Sequence, residues 1–88
     1  MSAIDIAAEL TADNPKQTAV VIRMYADALR TYLEAAENVR QHGAVVTHPR
    51  TGAPIDNPFL RVAERAGAQL AKMPRVKADR VLKLLESE

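Results

Sequence analysis

The side chains best suited to bind a transition metal in this sequence are its two histidines, His42 and His48. The chain has no cysteine, and no pair of carboxylates lies close enough in sequence to complete a zinc site. We therefore interpret His42 as a helix-end residue that interacts with terminal carbonyl groups. The sequence predicts no metal and no other cofactor.

Acid-base chemistry is not favoured by the acidic residues. Asp13 and Asp56 each precede an Asn-Pro pair, where a negative charge favours the start of a helix. The sequence contains no glycine-rich phosphate loop, no clear Ser/His/Asp arrangement and no acidic cluster for paired metals. It therefore predicts a protein that is not an enzyme.

Basic residues are the better candidates for a functional site, although the formal net charge is only +1. Residues 1–44 carry four Lys or Arg against six Asp or Glu, whereas residues 45–88 carry eight against five. Cations of this kind contact DNA phosphates without reading sequence. Acidic residues interrupt the run, so an ordinary solvated surface remains the alternative. The candidate DNA-binding residues are Arg61, Arg65, Lys72, Arg75, Lys77, Arg80 and Lys83.

The tripeptide Asp-Asn-Pro occurs twice, at residues 13–15 and 56–58, and each copy resembles a helix start. Asn14 and Asn57 would cap the first turn, and the following prolines fit the first helical position, where no N–H is needed. The sequence therefore predicts helices that begin at Pro15 and Pro58.

Two long apolar stripes at spacings of three and four follow these starts. The first predicts a helix over about 15–42, ended by Gly43 in a left-handed cap. The second predicts a helix over about 58–73, ended by Pro74. A helix as long as the first must bury its stripe, so we expect the second to pack antiparallel along it.

The segment between the two helices favours extended backbone. Residues 44–56 combine Val45 and Val46, a turn containing Gly52, and Ile55 on a returning arm, which predicts a β-hairpin-like loop. At the ends, we expect a short helix over 3–10, with Ser2 as a weak cap, and a helical segment over about 76–87.

Together these elements predict a single domain over residues 1–88 that is mainly α. It would be a long antiparallel helical hairpin with a small β-hairpin-like excursion between the helices and short flanking helices at both ends. No apolar run reaches the roughly 20 residues that span a bilayer, and the N-terminus has no basic leader. We therefore expect a cytoplasmic protein with no membrane contact.

Some residues are expected to pack helices or subunits together. Gly67 costs a helix interior about 1 kcal/mol relative to Ala, so we expect another helix to pack close to it. Tyr25, Tyr32 and Phe59 fall on the core stripes of the two long helices. The predicted packing and oligomer residues are Val21, Tyr25, Tyr32, Val45, Val46, Ile55 and Gly67.

Four sequence features follow one another: a long helix, a Val-Val pair just after it, a turn that contains Thr-Gly, and an Asn-Pro pair that starts the next helix. Their order resembles the small terminase subunits of tailed phages, specifically the P27 family, which includes the small subunit of HK97-like phages. The resemblance covers about residues 10–73. The family-motif residues are Gly43, Gly52, Asn57 and Pro58, and the other matching residues are Leu10, Thr11, Asp13, Tyr25, Ala26, Val45, Val46, Leu60 and Val62.

The resemblance implies a non-catalytic role in genome packaging in a bacterial host cell. Such subunits assemble into ring-shaped homo-oligomers, recognise double-stranded viral DNA, and recruit and regulate the large terminase subunit. We expect residues 75–88 to contact that partner, and their deletion to leave the oligomer intact. Two alternatives remain: a small helical DNA-binding transcriptional regulator, and a helical adaptor that binds only protein.

Overall fold

A computed structural model describes residues 4–87 of the 88-residue chain. The described part contains a short helix, a long helix, a two-stranded antiparallel sheet and two further helices, which confirms the predicted mainly α fold class. In chain order the elements are α1 (Ile6–Asp13), α2 (Ala19–His42), β1 (Val45–Thr47), β2 (Pro54–Asp56), α3 (Pro58–Ala71) and α4 (Asp79–Glu86).

Helices α2 and α3 form the predicted antiparallel hairpin, and their contact is the largest between any two elements. Small side chains line it: Ala28, Ala35 and Ala66 are each no more than 5% exposed. Alanine at these positions lets the two helix backbones approach closely while apolar surface is removed from water. The long hairpin gives the molecule an extent of 50 Å along its longest axis.

The hydrophobic core lies at one end of this hairpin, where α1 and α4 pack around the first half of α2. Leu10 of α1 and Val81 of α4 are both 0% exposed at its centre. Because α1 and α4 cover only this end, the opposite end with the β-hairpin is thinly packed. The core residues are Ile6, Leu10, Ile22, Ala26, Leu29, Val76, Ala78 and Val81.

The β-hairpin has the predicted position between the two long helices. Val46 lies opposite Ile55 in the register, and both are half-buried. In the connecting turn, the His48 Nδ1 atom accepts hydrogen bonds from the Arg50 and Thr51 amides, and Gly52 takes a φ of 72°. A β-carbon is strained at that φ, which explains why glycine occupies the turn.

The second Asp-Asn-Pro has the predicted role. The Asn57 side chain accepts a hydrogen bond from the Phe59 amide at 3.0 Å, and Pro58 is the first helical residue. The Asn57 amide group also donates to the Gly43 carbonyl and to Asn38 Oδ1, which ties the start of α3 to the end of α2. Gly43 has the expected positive φ of 86°, although its ψ of 170° differs from a left-handed helical cap.

The first Asp-Asn-Pro does not start a helix, so this prediction is wrong. Asn14 is the C-cap of α1, and α2 begins four residues after Pro15, at Ala19, with the Thr18 hydroxyl accepting from the Val21 amide. The Asn14 side chain accepts from the Lys77 amide at 2.8 Å and donates to the Lys77 and Leu10 carbonyls at 2.9 Å each. It therefore joins the end of α1 to the segment before α4.

The bounds of the shorter elements also differ from the predictions. Helix α1 runs over Ile6–Asp13 and not 3–10, because Asp5 caps it by accepting from the Ala8 amide. The predicted cap Ser2 lies outside the described residues. Helix α3 ends at Ala71, two residues before the predicted end, and α4 begins at Asp79 within the predicted segment 76–87.

The C-terminal segment is not a detachable tail, which corrects the expectation that its deletion leaves the assembly intact. Val76, Ala78 and Val81 belong to the core, and Asn14 holds the Lys77 backbone through two bonds. The segment carries apolar surface that the other helices need to bury.

The prediction of a close neighbour at Gly67 is confirmed. A β-carbon built there would lie 3.6 Å from Cε2 of Tyr32, an ordinary van der Waals distance. Gly67→Ala is therefore expected to raise the free energy of unfolding by about 0.5–1 kcal/mol, through helix propensity. Gly67→Leu is expected to lower it by about 1–3 kcal/mol, because its branch overlaps the tyrosine ring. Urea denaturation measures both changes.

The exposed neighbour Ala68 supplies the matched control, since Ala68→Gly is expected to cost about 0.5–1 kcal/mol by the same propensity. If Gly67→Ala instead destabilised the protein by more than about 1 kcal/mol, the space beside Tyr32 would be filled by something other than this ring.

Candidate nucleic-acid interface and assembly surfaces

Helix α3 presents a row of cations on one flank. Arg61, Arg65 and Lys72 follow one another at spacings of four and seven residues, which places them on the same side of a 3.6-residue helix. All three are exposed. The structure therefore keeps these three predicted DNA-binding residues on one surface.

Lys72 also lies beside Arg75 at the base of the hairpin. Both line a cavity of about 230 Å³ together with Val21, Met73 and Val76. Lys72 is the C-cap of α3, so its cation stands near the negative end of the helix. This second pair extends the basic surface past the end of α3.

Arg80 differs from the other predicted DNA-binding residues because it forms salt bridges within the protein. Its guanidinium contacts Glu9 at 2.6 Å and Asp13 at 2.9 Å, so its cation is balanced by two carboxylates of α1. The hydrogen bond to Glu9, followed by that to Asp13, raises the pKa of Arg80 above its ordinary value. Asp13, expected beside a helix start, instead helps to hold α4 against α1.

The other six candidate cations make no ion pair within 4.0 Å with any residue of the range 4–87. Each of the six is exposed. Cations in this state meet phosphate groups without first breaking an internal salt bridge. The six are Arg61, Arg65, Lys72, Arg75, Lys77 and Lys83.

A partly apolar surface crosses α2, and the sequence analysis did not identify it. Val20 and Met24 are 68% and 47% exposed. Met24 borders both a groove of about 570 Å³ between α1 and α2 and one of about 380 Å³ between α2 and α3. The signal in the sequence was the spacing of four between Val20 and Met24, just beside the main apolar stripe.

The aromatic residues are less buried than their stripe positions predict. Tyr32 is 38% exposed and Phe59 42% exposed, because α1 and α4 do not reach the end of the hairpin where they lie. Tyr25 is half-buried against the core. Its burial, and then the negative charge of Asp79, raise the pKa of the Tyr25 phenol, which keeps the hydroxyl protonated and neutral.

Of the remaining predicted packing residues, some contact other side chains and one is largely exposed to solvent. Val21 packs at the edge of the core, and Val46 and Ile55 pack against each other across the hairpin. Val45 is 58% exposed and points away from these contacts. Their roles between subunits stay predictions.

In the part of the chain that the structure describes, no group of three or more His, Cys, Asp or Glu side chains is placed to hold a metal ion. Over the same residues, no helix is both long enough and apolar enough to cross a membrane.

Comparison with protein families identifies the chain. The family model of the phage terminase small subunit matches residues 4–75, which include α1, the hairpin with its two strands, and the turn after α3. The protein therefore belongs to the phage terminase small subunit family, which places it in phage DNA packaging. This family is generally non-catalytic, and membership implies association with the large terminase subunit and with DNA. No curated protein and no solved structure matches the chain.

Proposed function

We propose that this protein is an oligomeric DNA-recognition factor that recruits and regulates the large terminase subunit during genome packaging. The observation that carries the proposal, beside the family match, is the row of exposed cations on α3 that lack internal ion-pair partners within residues 4–87. Within the family, we propose a P27-like member, on the sequence resemblance that Gly43, Gly52, Asn57 and Pro58 carry.

Self-association would multiply this basic surface. Three cations on one flank make a weak site in one subunit, but a closed ring repeats them around its circumference and raises the local density of phosphate contacts. The exposed Val20 and Met24 supply apolar area that a neighbouring subunit would remove from water. A homo-oligomeric ring in the host cytoplasm is accordingly part of the proposal.

The test measures assembly and DNA binding in one preparation. Native mass spectrometry at near-physiological ionic strength is expected to give a closed assembly of many copies. Affinity for double-stranded DNA is then measured against salt concentration. Arg61→Ala and Arg65→Ala are each expected to lower the steepness of the salt dependence by about one counterion per contacting subunit.

Arg40→Ala is the matched control for this experiment. It also removes one exposed arginine, but this arginine already pairs with Glu37 on α2. Its salt dependence should equal that of the unaltered protein. A two-fold dimer that binds one operator sequence would support a transcriptional regulator instead, and DNA binding that is absent at low salt would support a protein-only adaptor.

A further inference from the structure

The turn of the β-hairpin depends on one residue, His48, whose side chain is half-buried. Its Nδ1 atom accepts hydrogen bonds from the Arg50 amide at 3.1 Å and from the Thr51 amide at 3.3 Å. The His48 amide donates to the Ala53 carbonyl at 2.8 Å, and the His48 carbonyl accepts from the Gly52 amide at 2.9 Å. His48 thus takes part in four of the five hydrogen bonds that the structure describes inside the turn.

The two bonds to Nδ1 require one protonation state of the imidazole. A ring nitrogen that accepts hydrogen bonds carries no proton, so the proton of the neutral His48 ring lies on Nε2. When the ring takes up a second proton, Nδ1 becomes a donor and can no longer accept from the two amides. Imidazole is the side chain that ordinarily changes its charge between about pH 5 and 8. An Asn side chain, which often accepts bonds of this kind in turns, would not respond to pH.

The charged groups of the hairpin do not offset this effect. Arg50 is a cation within the same turn, and a like charge disfavours protonation of the His48 ring. No carboxylate of the described part of the chain lies within 4.0 Å of that ring. The acid of the hairpin, Asp56, is opposite Val45, which is about 10 Å from His48 along β1 at 3.3 Å per residue. The other histidine, His42, lies beyond the far end of β1, at the end of α2.

The hairpin has few other contacts that keep its turn closed. The contacts of β1 are chiefly with β2, and an isolated pair of strands is marginal in water. The hydrophobic core lies at the opposite end of the α2–α3 hairpin and gives the turn no support. The two bonds to His48 Nδ1 are therefore a substantial part of what keeps the turn closed.

We propose that the turn of the β-hairpin is a pH-dependent switch, which is closed while His48 is neutral and opens when His48 takes up a proton. Because the neutral ring is the state that accepts, the turn is closed at pH values above the His48 titration and opens below it. The strands then separate first where Thr47 lies opposite Pro54, next to the turn. The other end of the hairpin stays in place, because Asn57 ties it to the end of α2.

The first test is nitrogen-15 NMR of the full-length protein, which identifies the ring atom that carries the proton. At a pH where His48 is neutral, Nε2 is expected to carry the proton and Nδ1 to carry none. A neutral ring with its proton on Nδ1 could not accept from the Arg50 and Thr51 amides, and this result would overturn the proposal.

The second test follows hydrogen-deuterium exchange as the pH is lowered through the His48 titration. Each rate is compared with that of an unstructured peptide at the same pH, so that only protection by structure is measured. The His48 amide is expected to lose about fivefold in protection, the effect of about one net hydrogen bond. The Asn57 amide, bonded to Ala44 at the other end of the hairpin, is the internal reference and should change by less than about twofold. Unchanged protection at His48, or an equal loss at Asn57, would contradict a local switch.

Three variants assign the response to one side chain, and all of them lie outside the core. His48→Asn keeps an acceptor that does not titrate, so the turn is expected to stay closed at every pH. His48→Ala has no acceptor and is expected to show low protection throughout. His42→Asn is the matched control, because it removes the other histidine and should keep the full pH dependence. A pH response that persists in His48→Asn or disappears in His42→Asn would overturn the proposal.

Discussion

Removal of residues 75–88 is expected to unfold the domain. Val76, Ala78 and Val81 would leave the core, and Val81 is fully buried. Burial of one valine side chain contributes about 1.5–3 kcal/mol, and a small domain has a total stability of about 5–15 kcal/mol. The truncation also removes Lys77, the partner of the buried Asn14 side chain. We expect loss of cooperative thermal unfolding in circular dichroism.

The matched control ends the chain after Glu86, the last residue of α4, and should unfold with nearly the same midpoint as the full chain. Cooperative unfolding of the long truncation within about 1 kcal/mol of the intact protein would contradict this assignment of the core. A contact between the C-terminal segment and the large subunit stays a prediction. It is better tested by Leu82→Ala and Lys83→Ala, since both residues are exposed.

Asn14→Ala is expected to lower the free energy of unfolding by about 2–3 kcal/mol. The Asn14 side chain is 6% exposed and makes three hydrogen bonds, two of them to the Lys77 backbone. Alanine would leave one buried carbonyl, that of Leu10, and two part-buried backbone groups of Lys77 without these partners, and an unpaired buried group costs about 1–3 kcal/mol. Chemical denaturation at equilibrium measures the change.

Two further variants make this prediction specific. Thr11→Ala also deletes a side-chain hydrogen bond to the backbone of α1, but Thr11 is exposed and water can replace its bond to the Ala7 carbonyl, so stability should change by less than about 0.5 kcal/mol. Asn14→Asp keeps the acceptor for the Lys77 amide but sets a carboxylate against two carbonyl oxygens, so it should also destabilise. A stable Asn14→Ala protein would show that water replaces the side chain in this junction.

The two Asp-Asn-Pro copies show how far local sequence predicts this fold. Asn-Pro is compatible with a helix start, as at Asn57, and with a helix end followed by a proline, as at Asn14. The Asn14 side chain bonds to Lys77, a partner 63 residues away that local spacing does not reveal. The helical hairpin and the strands could be predicted, because their signals are periodic and local.

The candidate site, like the fold, could be predicted from the sequence only in part. Arg61 and Arg65 could be placed on one flank from their spacing of four. The pairing of Arg80 with Glu9 could not be predicted, because these residues are 71 positions apart and meet only when α4 packs on α1. Exposure of Tyr32 and Phe59 was likewise unpredictable, since it depends on which end of the hairpin the short helices cover.

The meeting of α1 with α4 has a consequence for synthesis of the chain. The bonds that join the end of α1 to Lys77 and Arg80 link residues 63 and 71 positions apart, so the core cannot close until α4 has left the ribosome. Helices α2 and α3 can pair earlier, because their turn is local. A nascent chain should therefore hold α1 without its core partner until α4 has emerged.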